Sequence, residues 1–173
     1  MSIAVVPIEQ LPETKVLSVS VQVEPEAEWF SRFSSYHNMV RVVAWMRRFA
    51  GRARQQTHTT DYLTREELGE SLIVLVKQSQ TCWLSKLHTD LGSGRPAQRS
   101  LAGLRPFLDA RCVVCVGGRL TRSNLTSDDK QPILLAKESH LSVLIARHWH
   151  LVTCHSGPRV ITSLITRQFW IVV

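Results

Sequence analysis

No stretch of this sequence comes near the roughly 20 consecutive apolar residues that a membrane-crossing helix needs. The opening residues, MSIAVVPIEQLPETK, lack the basic lead and apolar centre of a secretory signal. Cysteine is scarce, and the four present (Cys82, Cys112, Cys115 and Cys154) do not make a disulfide framework without a secretory context. These absences predict an intracellular chain with reduced thiols and no membrane partner, in which the sequon Asn124-Leu125-Thr126 has no bearing. Catalytic constellations are missing as well. There is no Ser/His/Asp set, no glycine-rich phosphate loop and no carboxylate pair, and Asp128-Asp129 falls in a polar loop where solvation is the simpler fate. The expectation is a protein without catalysis and without a small-molecule substrate.

What is present is a large apolar content and an uneven charge. Apolar residues make up 44% of the chain, enough to build a sizeable core. The net charge is +7. The first 28 residues oppose Glu9, Glu13, Glu24, Glu26 and Glu28 to Lys15 alone, whereas residues 29–173 carry 20 basic and 9 acidic side chains. A basic body suits a polyanionic partner, of which nucleic acid is the commonest, although many soluble domains are equally basic without one.

Residues 1–25 read as an extended lead-in. VLSVSVQV has the alternation of a strand, but a strand there needs a partner sheet from an upstream domain. Residues 26–50 read as a helix with Trp29, Phe33, Tyr36, Val40 and Val43 on one face. Its end, RRFAGRAR, is the densest basic cluster and supplies Arg47, Arg48, Arg52 and Arg54 as candidate nucleic-acid contacts. The plainer explanation of these cations is that they face the negative end of the helix dipole. After a polar linker, Thr64 and Glu67 have the spacing of a capping box. Leu68, Leu72, Leu75, Val76, Trp83, Leu87 and Leu91 then continue an apolar stripe up to Gly92-Ser93-Gly94-Arg95-Pro96. Two such stripes can bury each other, so residues 26–92 are expected to form a helical hairpin connector.

The second half changes character. LAGLRPFLD, with Pro106, reads as a short helix or turn leading into a loop. CVVCVGGRLTR places two apolar runs around Gly117-Gly118, a pattern for a β-hairpin turning at the glycines. PILL is a further strand, and residues 138–152 return to helical spacing with Leu141, Leu144, Ile145 and His148 on one face. Pro158 suits the first turn of another helix, and FWIVV ends the chain in mid-element. The predicted class is α+β and helix-dominated: an N-terminal helical hairpin, then a small β-hairpin plus helices module over residues 100–173.

Several stretches, in order, resemble one family. SRFSSYHNMVRVVAWMRRF and LTREELGESLIVLVKQSQ resemble the helices after the RNase H region of Bel/Pao-type retrotransposon polyproteins. The PFLD element, VGGRL, the PILL-to-SHL stretch and the His-x4-His-x-Gly-Pro motif followed by FWI resemble the lead-in and first half of the integrase zinc-binding domain. The likeness spans residues 29–171 or so and is carried by the ordered set rather than by any one piece. It implies a zinc site of two histidines and a downstream Cys-x2-Cys, with His150 and His155 matching the histidines. The cysteine pair would lie beyond Val173, so the zinc site would be half present and the chain a truncated piece of pol. The implied partners are the remainder of integrase or the polyprotein and, non-specifically, nucleic acid; the implied role is DNA integration.

The sequence also holds a competing metal set. Cys112 and Cys115 form a Cys-x2-Cys that could join His150 and His155 as a Cys2His2 site in a host-retained zinc-binding interaction protein. Against it, residues i and i+3 of a strand point to opposite faces, and the resembled family carries other residues at Cys115. Buried small hydrophobes are the commoner fate of such cysteines. His148 could stand in for His150, and Cys154 is a further candidate between the histidines; His140 begins or caps a helix, while His37, His58 and His88 are scattered.

Overall fold

The computed structural model describes residues 28–55, 60–97, 99–117 and 131–172. The strand expected within 16–23 and the downstream arm of the hairpin expected over 112–122 lie outside them. The architecture is helix-dominated α+β, as the sequence predicts.

A 3-10 turn, Trp29–Arg32, precedes helix α1, Tyr36–Ala53. The helix starts ten residues later than the apolar spacing suggests. Ser35 supplies the reason: its backbone is extended and its side-chain oxygen accepts the Asn38 N–H at 3.5 Å, as N-caps do. Trp29 and Phe33 are therefore outside the helix. The inward face of α1 is Met39, Val40, Val43 and Ala44. Helix α2, Arg65–Trp83, opens with the capping box read from the sequence: Thr64 Oγ1 accepts the Glu67 N–H at 3.3 Å and Glu67 accepts the Thr64 N–H at 2.8 Å. The two helices pack together through Met39, Val40, Val43, Leu72, Leu75 and Val76. Trp29 and Trp83, at 43% and 40% exposure, contribute less to that contact than their size promises.

The second apolar stripe is not one helix. It breaks at Leu84, where φ is −122°, and resumes as α3, Ser85–Gly92. The break redirects the chain from one face of a sheet to the other. Leu72, Leu75 and Val76 sit in one core cluster, and Leu84, Leu87 and Leu91 in a second.

A short helical turn, α4 (Arg99–Ala102), leads to strands β1 (Pro106–Leu108), β2 (Val114–Val116), β3 (Ile133–Ala136) and β4 (Phe169–Val172), in that order across one sheet. Phe107 pairs with Cys115 and Cys115 with Ile133, both antiparallel. Strand β4 runs parallel to β3, and the crossover that a parallel pair requires is made by α5 (His140–Val152) and α6 (Pro158–Ile165). Cys115, Ile133, Leu135 and Phe169 point into the first cluster; Val114, Val116 and Leu134 point into the second. Cover on both faces explains why these strands read as unbroken apolar runs rather than alternating ones.

One expectation needs correction. PFL, expected in a short helix or turn, is strand β1, and the turn leading into β2 is at Asp109–Val113. Asp109 drives this: its carboxylate accepts the N–H of Arg111 at 2.9 Å and of Val113 at 2.7 Å, an Asx-type turn. Gly117 serves a close approach of two backbone segments. Its N–H donates to Arg105 O at 3.1 Å, and a Cβ there would stand 2.9 Å from that oxygen. The helices of the first half and the sheet of the second share one packed cluster, which runs from Phe30 and Met39 through Leu75 to Ile145 and Phe169. Gln80 ties the two together. Buried on α2, it donates to Val114 O at 2.9 Å and Leu134 O at 2.8 Å and accepts the Val114 N–H at 2.9 Å.

Candidate metal centre and basic surface

Helix α5 is anchored at its start and open at its end. Leu141, Leu144 and Ile145 are buried. Ser139 caps the helix with its side chain on the Leu141 N–H, and Glu28, far upstream, accepts the His140 N–H at 2.6 Å and the Ser139 hydroxyl at 2.6 Å. A carboxylate at a helix N-terminus satisfies donors that no intrahelical carbonyl can reach. Trp83 Nε1 also donates to Glu28, at 3.2 Å, so α2 and α5 share this carboxylate.

At its other end α5 stops at Val152, and two consecutive residues, Cys154 and His155, take φ of 52° and 63°. Such left-handed conformations are unfavourable for residues with a Cβ. They fold the chain back so that the His155 N–H reaches His150 O at 2.8 Å. The same reversal brings the rings together: His155 Nδ1 lies 2.8 Å from His150 Nε2, with centroids 4.6 Å apart. One nitrogen holds a proton and the other accepts it. Two tetrahedral zinc-ligand nitrogens stand about 3.3 Å apart, so a small rotation of either ring admits a shared metal. Both ligands matched by the family resemblance thus converge on one point at an exposed corner.

The other candidates are distributed elsewhere. His148 faces α1, its ring 5.0 Å from that of Tyr36; burial, and then His37, lower its pKa below the ordinary value. Burial likewise pushes the Tyr36 hydroxyl up to about 12. His140 Nε2 meets Phe33 O at 2.7 Å, and His88 Nε2 meets Cys112 O at 3.3 Å. Cys112 is exposed in the Asp109 turn at φ 56°, whereas Cys115 is buried in β2. Among the described residues, no three of the His, Cys, Asp and Glu side chains are gathered as a metal set. Cys154 is exposed beside the histidine pair. His58 lies outside the described residues.

The basic cluster divides sharply. Arg52 and Arg54 are exposed at the end of α1, and Arg47 makes an exposed ion pair with Glu70 at 2.7 Å. Arg48 is a correction to the expected nucleic-acid set. Only 3% exposed, it donates to Glu67 at 2.9 and 2.6 Å, to Thr60 O at 2.9 Å and to Tyr62 O at 2.8 Å. The guanidinium, helped by the Thr64 amide, holds the Glu67 carboxyl down at about 2. The guanidinium pKa is raised in turn, chiefly by its hydrogen bond to Glu67. Its role is to clamp the linker and the start of α2 onto α1, and no phosphate can reach it.

Sequence reasoning passed over Glu28, Gln80 and the Arg48–Glu67 pair, whose partners lie 19 to 112 positions away. It had a usable signal for one further feature. Trp45, Met46 and Phe49 are large apolar residues left off the inward stripe of α1, and all three are exposed.

Comparison with known proteins gives no match to a family model, a curated protein or a solved structure. Among the described residues, no helix is long and apolar enough to cross a membrane.

Proposed function

We propose that this chain is a non-catalytic part of a Bel/Pao-type retrotransposon polyprotein, comprising the connector after RNase H and the first half of an integrase-type zinc-binding domain. On this reading its role lies in DNA integration, with non-specific nucleic-acid contact through Arg47, Arg52 and Arg54. The observation that carries it is the approach of His150 Nε2 and His155 Nδ1 to 2.8 Å across a turn built from two left-handed residues. Strained backbone is retained where a function needs it, and a two-histidine zinc half-site is such a function. The surroundings fit a half-site: Leu151, Val152 and Val160 are all about half exposed beside the pair, an apolar margin that a cysteine-bearing segment would cover. Zinc would supply folding energy there and no chemistry.

Zinc content tests the reading. The 173-residue chain supplies two of four ligands and should retain little zinc after dialysis against a chelator. A longer chain carrying the downstream Cys-x2-Cys should hold one zinc per molecule, lost in His150→Ala and in His155→Ala and unaffected by Cys112→Ala. Stoichiometric zinc in the short chain that disappears in Cys112→Ala would instead establish the internal Cys2His2 set.

A further inference from the structure

Helix α1 has an outer face with no partner among the described residues. Val42, Trp45, Met46 and Phe49 fall at i, i+3, i+4 and i+7, the spacing of one helical stripe, and every one is exposed. Phe49 is 76% exposed, and Tyr62, just before the start of α2, 71%. Clustered aromatics this open on a helix already buried on its other side are a surface for something.

Trp45 is held ready rather than merely uncovered. The Arg48 guanidinium carbon lies 5.1 Å from its ring centroid. That guanidinium is itself fixed by Glu67, Thr60 and Tyr62. One face of the indole is therefore backed by a fixed cation, while the residue as a whole stays 43% exposed. Trp45 and Tyr62 line one cleft with His37, Arg41 and Leu63, and Asp61 is the lone acid in it. Arg41, Arg52 and Arg54 are exposed and make no ion pair among the described residues.

We propose that this face is a base-stacking platform for single-stranded nucleic acid, with Trp45, Phe49 and Tyr62 as stacking rings and Arg41, Arg52 and Arg54 as phosphate contacts. Charge selects this occupant. A second copy packed antiparallel through the stripe would bring the Arg41 flank of one helix against the Arg52 flank of the other. Flat aromatic faces flanked by uncompensated arginines match bases and phosphates together, and stacking accepts any base. The proposal deepens the nucleic-acid part of the proposed function and does not depend on the histidine pair.

The test uses the full chain with a labelled oligothymidylate of about twenty nucleotides and a duplex of equal length. Single strand should bind more tightly than duplex and quench tryptophan fluorescence. Trp45→Leu and Phe49→Leu, which keep an apolar side chain and remove the ring, should each weaken single-strand binding roughly tenfold with unchanged circular dichroism. Arg52→Gln should lower the salt dependence while the two leucine variants leave it alone. Equal affinity for duplex, or leucine variants that bind as the parent does, would overturn the platform while leaving the zinc reading intact. No binding to either nucleic acid would overturn both it and the nucleic-acid part of the proposed function. Concentration-dependent dimerisation abolished by Phe49→Asp and untouched by oligonucleotide would show a protein interface instead.

Discussion

The two ends of the molecule treat their functional-looking residues in opposite ways. At the junction of α1 and α2, Arg48 and Glu67 are enclosed and saturated with hydrogen bonds. At the junction of α5 and α6, the rings of His150 and His155 share one short contact at an exposed corner, on backbone that Cβ-bearing residues rarely adopt. A charged residue in a basic run turned out to be structural, and a pair of imidazole rings on a strained turn is the better site candidate. The lesson is that saturation marks a residue committed to the fold, whereas strain with unused bonding capacity marks one kept for something else.

The contrast predicts unequal responses to mutation. The largest should come from Glu67→Ala, which strands a guanidinium that is 3% exposed. Removing one partner of an enclosed ion pair leaves the other charge without its counterpart, and urea unfolding should show a loss larger than a surface pair gives. A change under about 1 kcal/mol, the range of surface pairs, would erase the distinction. Gln80→Leu should follow. It abandons the buried N–H and C=O of Val114 and the C=O of Leu134. Unsatisfied buried groups cost about 1–3 kcal/mol each, and partial relaxation brings the expected total to about 3 kcal/mol.

The acid limb of stability sharpens the comparison further. The Glu67 carboxyl sits at about 2 in the folded chain against an ordinary 4.5. A depressed carboxyl stabilises fully above its unfolded value, and that contribution fades as pH falls from about 4.5 towards 2. Thermal scans across that window should therefore lose stability more steeply for the parent than for Glu67→Gln. His148 acts in the same direction at higher pH. Its lowered pKa means that the folded chain prefers the neutral ring, so its contribution is complete above the ordinary 6.5 and declines as pH falls below it. The smallest effect should be a gain. Cys154→Gly relieves a φ of 52° at an exposed position and should raise stability by up to about 1 kcal/mol, read from the unfolding midpoint. A loss on that substitution would mean that the turn is not strained and that the histidines meet there at no cost.

Much of this was legible in the sequence because it rests on local chemistry. The capping box at Thr64–Glu67, the strand in PILL and the helix opened by Pro158 each depend on neighbours within a few positions. The helical end of the histidine motif was legible for the same reason, five residues being enough to place both rings. What escaped depends on distant partners or competing signals. Pro106 hid strand β1 by reading as a turn, and the hairpin it forms is closed by the Asp109 carboxylate, which gathers amides of its own loop. A continuous leucine stripe from Leu68 to Leu91 hides the break at Leu84 because both of its halves are buried, on different faces of one sheet. Arg48 could not be told from Arg47 by sequence, since one position on a helix decides which of them turns inward.

The Gln80 side chain carries a practical consequence for dissecting this protein. The edge of the expected zinc module, near residue 100, looks like a natural place to cut. A piece begun there would carry β2 and β3 without the amide that completes their hydrogen bonding, and without Leu75 and Val76 to close one side of the sheet. Its smallest autonomous unit therefore starts no later than Thr64, and limited proteolysis of the intact chain should leave α2 attached to the strands after the connecting loops are nicked.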